Sequence, residues 1–335
     1  MSAPATVFAL TPVLNEAWIL DAYLACASTW ADHIIIADQG SDDSSREIAS
    51  TYPKVVLVGN NASEYDEGGR QRLLIETARS IPVEGRRILI ALDSDEFLTA
   101  NRASSPEWQA VLNADPGTVV WFDWVNVAPG GERFWQDPGK VPFGFVDDGR
   151  PHVGERIHSR RIPTPPDAPA LHLDEVKVLH YQCIDWPRMR SKQRWYQAWE
   201  RLNHPGKRPI TLFRQYHHMD AGVARAQPMP REWTEGYERE GHAMPAGGTS
   251  PPYRWDHDVL DLLQRHGTEP FRRLDVWDID WTALNGRLPR ATDNDLRDPR
   301  SDLERRVLRW LARTQAASGT LPVRAVQRVL QFAGW

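Results

Sequence analysis

The first hundred residues alternate between short apolar runs and segments with helical spacing, and this alternation constrains the fold more than any other feature. The apolar runs are "ATVFALTPV", "HIIIAD", "KVVLVGN" and "RRILIALD". The intervening segments, such as "NEAWILDAYLACAST", place apolar residues on one helical face. A continuous β-branched run such as "HIIIAD" is typical of a parallel strand that is buried on both faces. The pattern predicts an α/β fold with an open, mostly parallel sheet and helices on both faces.

Acidic residues follow three of these predicted strands, in the stretches "TPVLNE", "ADQGSDD" and "LDSDE". Ligands of open parallel sheets bind beyond the carboxyl ends of the strands, so we expect all three stretches to face one crevice. The chain has no GxGxxG after the first strand and no GxxxxGK[ST] motif. Their absence argues against a dinucleotide oxidoreductase and against a P-loop NTPase.

The stretch "RRILIALDSDEFL" places Asp93 and Asp95 directly after an apolar strand. Carboxylates this close repel one another, and a divalent cation would offset the repulsion. Mg²⁺ and Mn²⁺ bind carboxylate and phosphate oxygens together, which suits a reaction in which a diphosphate leaves. A solvated acidic turn or a cap on the following helix is the alternative interpretation.

Composition narrows the class of protein further. The chain has 335 residues, of which 41% are hydrophobic and 25% charged, as in soluble globular proteins. A net charge of −5 argues against nucleic acid as a partner. Two cysteines, a first segment unlike a signal peptide, and the lack of a membrane-spanning apolar run lead us to expect a cytoplasmic protein.

The alternation of predicted strands and helices is less regular after residue 100. "GTVVWFDWVNV" and "EVKVLHYQC" are predicted strands, and "DWPRMRSKQRWYQAWERL" is a predicted helix capped by Asp185. Residues 128–151 are rich in Gly, Pro and Asp and predict a long loop that could serve as a lid. We therefore expect a catalytic domain over residues 1–215 and a mainly helical extension over residues 216–335.

Four stretches in order resemble the family 2 glycosyltransferases with the GT-A fold. They are "TPVLNEAWIL", "IIIADQGSDDSS", "LIALDSDEFL" and "LHYQCIDWPRMRSKQRWY". The resemblance is greatest to a subgroup with an lDxDEFl motif and a later His-Tyr pair followed by a helix that carries Lys. It covers residues 5 to 200.

The resemblance implies a GT-A-like sheet and a metal-dependent hexosyltransferase. Such an enzyme moves a sugar from a nucleotide-diphosphate sugar to a hydroxyl of a sugar or lipid-linked acceptor, with inversion, in polysaccharide or glycoconjugate synthesis. Its cofactor would be Mn²⁺ or Mg²⁺. Two alternatives stay open: a catalytically weak or inactive nucleotide-sugar-binding relative, and a phosphatase whose nucleophile strand ends in DxD.

The resemblance also implies roles for individual residues. Pro12, Leu14 and Glu16 would line the base and ribose pocket, and Asp38 would accept from a base N–H. The remaining roles concern the cation: Asp93 would contact ribose or metal, and Asp95 and His180 would be metal ligands. The sequence departs from the family at Gln39 and Arg72, where a second Asp and an Asn are usual.

The catalytic base has no recognisable family motif in this chain. If the strand that ends at His180 runs straight back to residue 174, alternation puts Asp174 on the His180 face. Asp174 and then Glu175 are therefore the predicted base for an inverting transfer. Four other carboxylates remain as alternatives: Asp123, Asp147, Asp148 and Glu155.

Basic residues should face the diphosphate. Lys192 shares a predicted helix face with Arg188, and it is the first candidate, followed by Arg72 and Arg70. A solvated basic face is the alternative.

The C-terminal segment predicts amphipathic helices. "SDLERRVLRWLARTQA" opens with a capping box formed by Ser301 and Glu304. From residue 301 to 335 there are six arginines and two acids. We expect a helical extension packed on the catalytic domain, with peripheral contact to an anionic membrane as the alternative.

Overall fold

The computed structural model describes residues 4–60, 66–156, 159–287 and 295–335. The strands are β1 (Ala5–Val13), β2 (His33–Asp38), β3 (Val55–Gly59), β4 (Arg86–Ala91), β5 (Glu96–Leu98), β6 (Val119–Val127), β7 (Arg133–Val146), β8 (Ala170–His172), β9 (Val178–His180) and β10 (Gln227–Pro228). The helices are α1 (Ala17–Ala27), α2 (Ser45–Ser50), α3 (Glu67–Ser80), α4 (Pro106–Asn113), α5 (Trp186–Asn203), α6 (Pro209–Tyr216), α7 (His218–Ala224), α8 (Glu235–Arg239), α9 (Arg254–His266), α10 (Trp281–Asn285), α11 (Asp302–Arg313) and α12 (Leu321–Phe332).

The strands form one sheet in the order β3-β2-β1-β4-β7-β6-β9-β5, with β10 paired to β7 and β8 to β6. The four strands at one side, β3, β2, β1 and β4, are mutually parallel. Beyond them, β7 is antiparallel to both β4 and β6, and β9 is parallel to β6. The predicted α/β class with a mostly parallel open sheet is confirmed.

Apolar helix faces cover both sides of the parallel strands. On one side, α1 and α2 pack through Leu20, Tyr23 and Ala49 against strand residues such as Ile34 and Ile90. On the other side, the apolar face of α3 packs against alternate residues of the same strands; this cluster contains Leu74, Ile75, Phe8, Leu10, Ile35 and Leu89. Because alternate strand residues point to opposite faces, a β-branched run such as that of β2 fills both layers.

The segment predicted as a long loop contains β7 instead. Residues 128–132 form the turn of a β6–β7 hairpin, and β7 extends for 14 residues to Val146. The register shifts opposite Trp124, where Asp137, Pro138 and Gly139 lie between two paired positions. The Pro and Gly residues that suggested a loop are thus accommodated by a β-bulge.

The chain divides into two compact units: Met1–Ile184 with Gln227–Gly247, and Asp185–Ala226 with Gly248–Trp335. The first unit contains the sheet. The second unit contains the α-helices α5–α7 and α9–α12. This division differs from the one expected at residue 215, because α5 and α6 pack with α9 and α11. Among the described residues, no helix combines the length and apolarity that a membrane span requires.

Candidate functional site

The carboxyl ends of four strands lie at one edge of the sheet. β1, β2 and β4 are parallel, and β9 has the same direction as β4 because two antiparallel pairings separate them. At this edge Asp38 ends β2, Asp93 and Asp95 follow β4, and His180 ends β9. The chain reverses its order of strand addition between β1 and β4, which is the position where open α/β sheets bind ligands.

The acidic residues after β4 share one guanidinium. Arg161 donates from Nη2 to Asp93 Oδ2 at 2.7 Å and to Glu96 Oε1 at 3.2 Å, and from Nη1 to Glu96 Oε2. Glu96 Oε2 also accepts from the backbone N–H of Asp93 at 2.8 Å. The charge that offsets the repulsion in this cluster is therefore supplied in part by the protein itself.

Burial and charge act in opposite directions on the pKa values of Glu96 and Arg161. Desolvation raises the pKa of Glu96, whose side chain is fully buried, while the charge of Arg161 works in the opposite direction. Burial by itself would lower the pKa of Arg161, but the carboxylates of Asp93 and Glu96 raise it above its ordinary value. The guanidinium stays charged, and the carboxylate of Asp93, with 39% of its side chain exposed, is the part of the cluster that faces solvent.

His180 and Asp95 form a second pair beside the first. The Nε2 atom of His180 lies 3.6 Å from Asp95 Oδ2. The backbone N–H of Tyr181 donates to the carbonyl of Asp95 at 2.7 Å, which ties the acidic turn to the end of β9. The imidazole stacks on the indole of Trp124 with a centroid separation of 4.7 Å, and its Nδ1 lies 3.1 Å from Gln182 Nε2. These contacts fix the ring so that Nε2 faces the carboxylate.

Asp95 and His180 could together hold a divalent cation whose other ligands come from outside the protein. Within the described residues no group of three His, Cys, Asp or Glu side chains could hold a metal ion, so the predicted three-ligand set is not assembled. Asp93 is the ligand that is missing from the set, because Arg161 engages its Oδ2. Two protein ligands are sufficient for an ion that takes its other ligands from phosphate and water. Reorientation of the Gln182 amide would let it accept from Nδ1 and leave Nε2 free to coordinate.

The loops after β1 and β2 hold each other in place. Asn15 adopts a left-handed backbone conformation (φ 56°), which Asn tolerates better than most residues. Its backbone N–H donates to Ser41 Oγ at 3.0 Å, and its side chain exchanges two hydrogen bonds with Asp42. The N–H of Glu16 donates to Ser45 Oγ at 2.9 Å. The crevice wall on this side is therefore preformed.

The predicted nucleotide-binding residues of this wall lie at the carboxyl edge. Pro12 and Leu14 are half-buried at the end of β1. The carboxylate of Glu16 accepts from the indole N–H of Trp18 at 2.6 Å. The buried carboxylate of Asp38 accepts from the backbone of Gly40 and Ser41 and from Arg46. In the structure Asp38 thus orders its own loop, and a role toward a base N–H stays a prediction.

Helix α3 begins at the same edge, and a loop packs on its first turn. The backbone N–H groups of Glu67 and Gly68 donate to the carbonyls of Arg156 and Glu155. The approach is so close that a Cβ atom on Gly154 would lie 2.5 Å from the Cα of Gly68. This contact holds residues 154–156 against the start of α3.

The basic residues of α3 have partners near its start. Arg70 Nη1 donates to Gln39 Oε1 at 3.1 Å, and Arg72 Nη2 lies 3.8 Å from Asp66 Oδ2. Both side chains belong to the crevice edge of the first unit. Lys192 belongs to α5 in the second unit, where its Nζ lies 5.8 Å from the ring centroid of Trp255.

The predicted base residues lie elsewhere. β9 begins at Val178, so the straight strand back to residue 174 on which the assignment depended does not exist. Asp174 and Glu175 precede β9 and therefore lie toward the opposite edge of the sheet from His180. The exposed Asp174 pairs with Lys140 at 2.8 Å, and Glu175 accepts from Ser105 Oγ at 2.7 Å.

The four alternative base residues lie at different places in the sheet and its loops. Asp123 pairs with Lys140 and Lys177 in the middle of β6 and β7. Asp147 follows the end of β7 at the opposite edge, where it pairs with Arg79, and Asp148 pairs with Arg150. Of these alternatives, Glu155 is the one whose backbone contacts the first turn of α3.

A further cavity opens beside the β6–β7 turn. Its volume is about 560 Å³, and its lining includes Glu132, Thr234, Glu235 and Glu238. Because β6 and β9 are parallel and Asn126 pairs with His180, this turn lies at the same edge as His180. The cavity therefore offers carboxylates at the edge where the acidic cluster lies.

Sequence reasoning missed Arg161 and the inward role of Glu96. Arg161 lies 65 residues beyond Glu96 along the chain. The sequence offered one weak signal for it: a cluster of acids after a buried strand requires a cation, and that cation can be an arginine from a distant loop.

Neither a protein-family model nor a curated protein matches this chain. Solved structures with partial similarity include glucosyl-3-phosphoglycerate synthase from Mycobacterium tuberculosis in complex with Mn²⁺, UDP and phosphoglyceric acid, at 18% identity and a TM-score of 0.28. The mannosyl-3-phosphoglycerate synthase from Rubrobacter xylanophilus has 17% identity and a TM-score of 0.27. S. aureus TarS has 10% identity and a TM-score of 0.35.

These similarities differ in extent. The matches to the first two cover 36% and 37% of this chain and 43% and 40% of theirs, so this chain spans less than half of their length. The match to TarS covers 93% of this chain and 90% of the other. At these TM-scores the fold assignment depends on the strand order described above.

Proposed function

We propose that this chain is a glycosyltransferase that moves a sugar from a nucleotide-diphosphate sugar to an acceptor hydroxyl with inversion. The observation that carries the proposal is the constellation at the carboxyl edge: an acidic pair after a buried parallel strand, an imidazole 3.6 Å from the second acid, and a preformed loop wall across the switch point. A phosphatase of the DxD class has its nucleophile at the end of the first strand, whereas this motif follows the fourth strand.

Different parts of the crevice would bind different parts of the donor. The wall formed by the loops after β1 and β2 would hold the nucleoside, with Leu14 and Asp38 at its base. Arg70 and Arg72 on α3 would face the phosphates. Lys192 belongs to the second unit, and its phosphate contact stays a prediction from the sequence. Asp95 and His180 would hold Mn²⁺ or Mg²⁺, which when bound supplies positive charge to the leaving diphosphate.

The acceptor would enter from the side of the β6–β7 turn. In the transfer, the acceptor oxygen bonds to the sugar carbon while the bond to the diphosphate breaks, and the acceptor proton passes to a carboxylate. Glu132 and Glu235 line the cavity at this edge and replace Asp174 and Glu175 as the candidates for that base. A role in polysaccharide or glycoconjugate synthesis would follow from the acceptor.

The first test measures binding. UDP-, GDP- and dTDP-sugars are each added with and without Mn²⁺, and the melting temperature is recorded. A donor at about 100 times its Kd stabilises the folded state by roughly 2.7 kcal/mol, so one nucleotide class should raise the melting temperature clearly, and more so with Mn²⁺. If none does so, the proposal is wrong.

The second test measures chemistry with a matched pair of Asp→Asn variants. Release of free sugar or transfer from the binding donor should fall by about a hundredfold or more in Asp95→Asn, because the group beside the leaving diphosphate loses its charge. Asp174→Asn should stay within about twofold of wild type. Binding without turnover would indicate an inactive relative, and hydrolysis of p-nitrophenyl phosphate would indicate a phosphatase.

A further inference from the structure

Helix α12 presents an apolar stripe to the outside of its unit. Leu321, Ala325, Val329 and Phe332 recur at spacings of four, four and three residues and so share one helical face. Leu321, Val329 and Phe332 are 79%, 68% and 94% exposed. Surface helices normally turn such a face toward the core, so this orientation is the reverse of the usual one.

The opposite face of α12 holds the helix in place. Leu330 packs against the apolar cluster formed by α6, α11 and the C-terminal Trp335. The backbone N–H of Trp335 donates to the carbonyl of Leu330 at 3.0 Å, and its indole is buried. Arg273 donates to the carbonyl of Gly334 at 2.6 Å. Helix α12 is therefore packed on its own unit through one face, and the stripe is exposed on the opposite face.

The charged residues around the stripe are all basic. From residue 305 to 335 the chain contains six arginines and no Asp or Glu. Arg324 and Arg328 are exposed and border the stripe on one side. On α11, three more arginines are exposed at Arg306, Arg309 and Arg313.

We propose that α12 docks on an anionic lipid surface, with Leu321, Val329 and Phe332 in the apolar boundary and the arginines at the headgroups. An exposed apolar stripe bordered by Arg is the chemistry that anionic bilayers bind, and each basic residue adds to the attraction. A second copy of the same face would bring like charges together, which disfavours self-association through it. This inference does not depend on the proposed transferase activity.

The experiment measures sedimentation of the full chain with vesicles, without nucleotide. Vesicles of phosphatidylcholine alone are compared with vesicles that contain about 30% phosphatidylglycerol. Wild type should bind the anionic vesicles at least about tenfold more tightly than the neutral ones. Val329→Ser/Phe332→Ser and Arg324→Gln/Arg328→Gln should each weaken this binding by about tenfold or more.

Two controls keep the result interpretable. The stripe residues are exposed, so both double variants should melt within a few degrees of wild type. Leu303→Ser removes a 68% exposed leucine from α11 and should leave vesicle binding unchanged. Three outcomes would overturn the proposal: no binding to anionic vesicles, equal binding by wild type and both double variants, or a wild-type dimer that Val329→Ser/Phe332→Ser converts to monomer without any lipid affinity.

Discussion

At the scale of single residues, Arg161 determines how the acidic cluster can bind a cation. Its guanidinium lies where a divalent ion would otherwise balance Asp93, and it also neutralises the buried Glu96. A positive group this close to Asp93 competes with a metal in two ways, since it engages one carboxylate oxygen and repels the incoming ion.

Replacing Arg161 should therefore strengthen metal binding. In Arg161→Gln the amide can still donate to Glu96, while Asp93 is released and the local positive charge is lost. We expect the Kd for Mn²⁺ in the absence of nucleotide to fall by about tenfold, which corresponds to about 1.4 kcal/mol. The measurement is the electron paramagnetic resonance signal of free Mn²⁺ during titration.

Arg160→Gln is the matched control for this change, because Arg160 is the exposed neighbour in the same loop. Its Kd for Mn²⁺ should equal that of wild type. An unchanged or weaker affinity in Arg161→Gln would show that the guanidinium does not compete with the cation.

The sequence predicted Asp93, Asp95 and His180 at one edge because each follows or ends a strand, and the strands were visible as apolar runs. It did not predict Arg161, because that residue reaches the acids through a loop without periodicity. The neighbouring residues 154–156 are held by the contact of Gly154 with Gly68, which connects segments that are far apart along the chain.

At the scale of secondary structure, local signals at helix starts were reliable. The predicted cap at Asp185 accepts from a backbone N–H group, and the capping box of Ser301 and Glu304 is present. These motifs act within four residues and need no tertiary information. By contrast, β7 was missed because a bulge opposite Trp124 absorbs the Pro and Gly residues that normally mark a loop.

Helix α5 shows a second feature that periodicity does not reveal. Its buried side includes Ser191 and Arg194, which meet the fully buried Asp256 of α9. Ser191 Oγ and Arg194 Nη2 donate to Asp256 Oδ1 at 2.7 and 2.9 Å, and the N–H of Tyr253 donates to Oδ2 at 3.0 Å. An apolar pattern alone would have left this pairing of α5 with α9 unpredicted.

Truncation of this buried aspartate should destabilise the second unit strongly. Asp256→Ala leaves Arg194 buried with one fewer carboxylate partner and removes half of a capping box. We expect the free energy of unfolding to fall by about 3–5 kcal/mol in urea denaturation followed by circular dichroism. Asp258→Ala, two residues along the same helix and half-exposed, should change it by no more than about 0.5 kcal/mol. Similar losses in both variants would contradict the assigned role.

At the scale of the whole molecule, acid should affect individual buried carboxylates in opposite ways. In the second unit, burial works to raise the pKa of Asp275, but hydrogen bonds and charge from His217 and Arg190 lower it to about 2. In the first unit, burial raises the pKa of Glu96. Protonation therefore removes a stabilising interaction at Asp275, whereas it relieves a desolvated charge at Glu96.

The direction in which pH changes the stability contribution of Asp275 follows from its folded and unfolded pKa values. The folded pKa of about 2 lies below the unfolded value of about 4, so the stabilisation is present above pH 4 and is lost as the pH falls toward 2. Asp275→Asn should be less stable than wild type by about 2 kcal/mol at pH 6, with the difference shrinking toward zero near pH 2. Urea denaturation at a series of pH values measures this difference.

Asp261→Asn provides the comparison, because Asp261 forms a partly exposed pair with Arg265 on the surface of α9. Its stability should follow that of wild type across the series. A difference for Asp275→Asn that does not change with pH would contradict the linkage.

The contact between Gly68 and Gly154 has a consequence beyond packing. A methyl group at either position would meet backbone atoms at 2.5–2.8 Å, so the two segments would have to separate. The hydrogen bonds that Glu67 N–H and Gly68 N–H donate to the carbonyls of Arg156 and Glu155 would lengthen or break with this separation. A single added methyl group would thus deprive the first turn of α3 of two acceptors for its free amide groups.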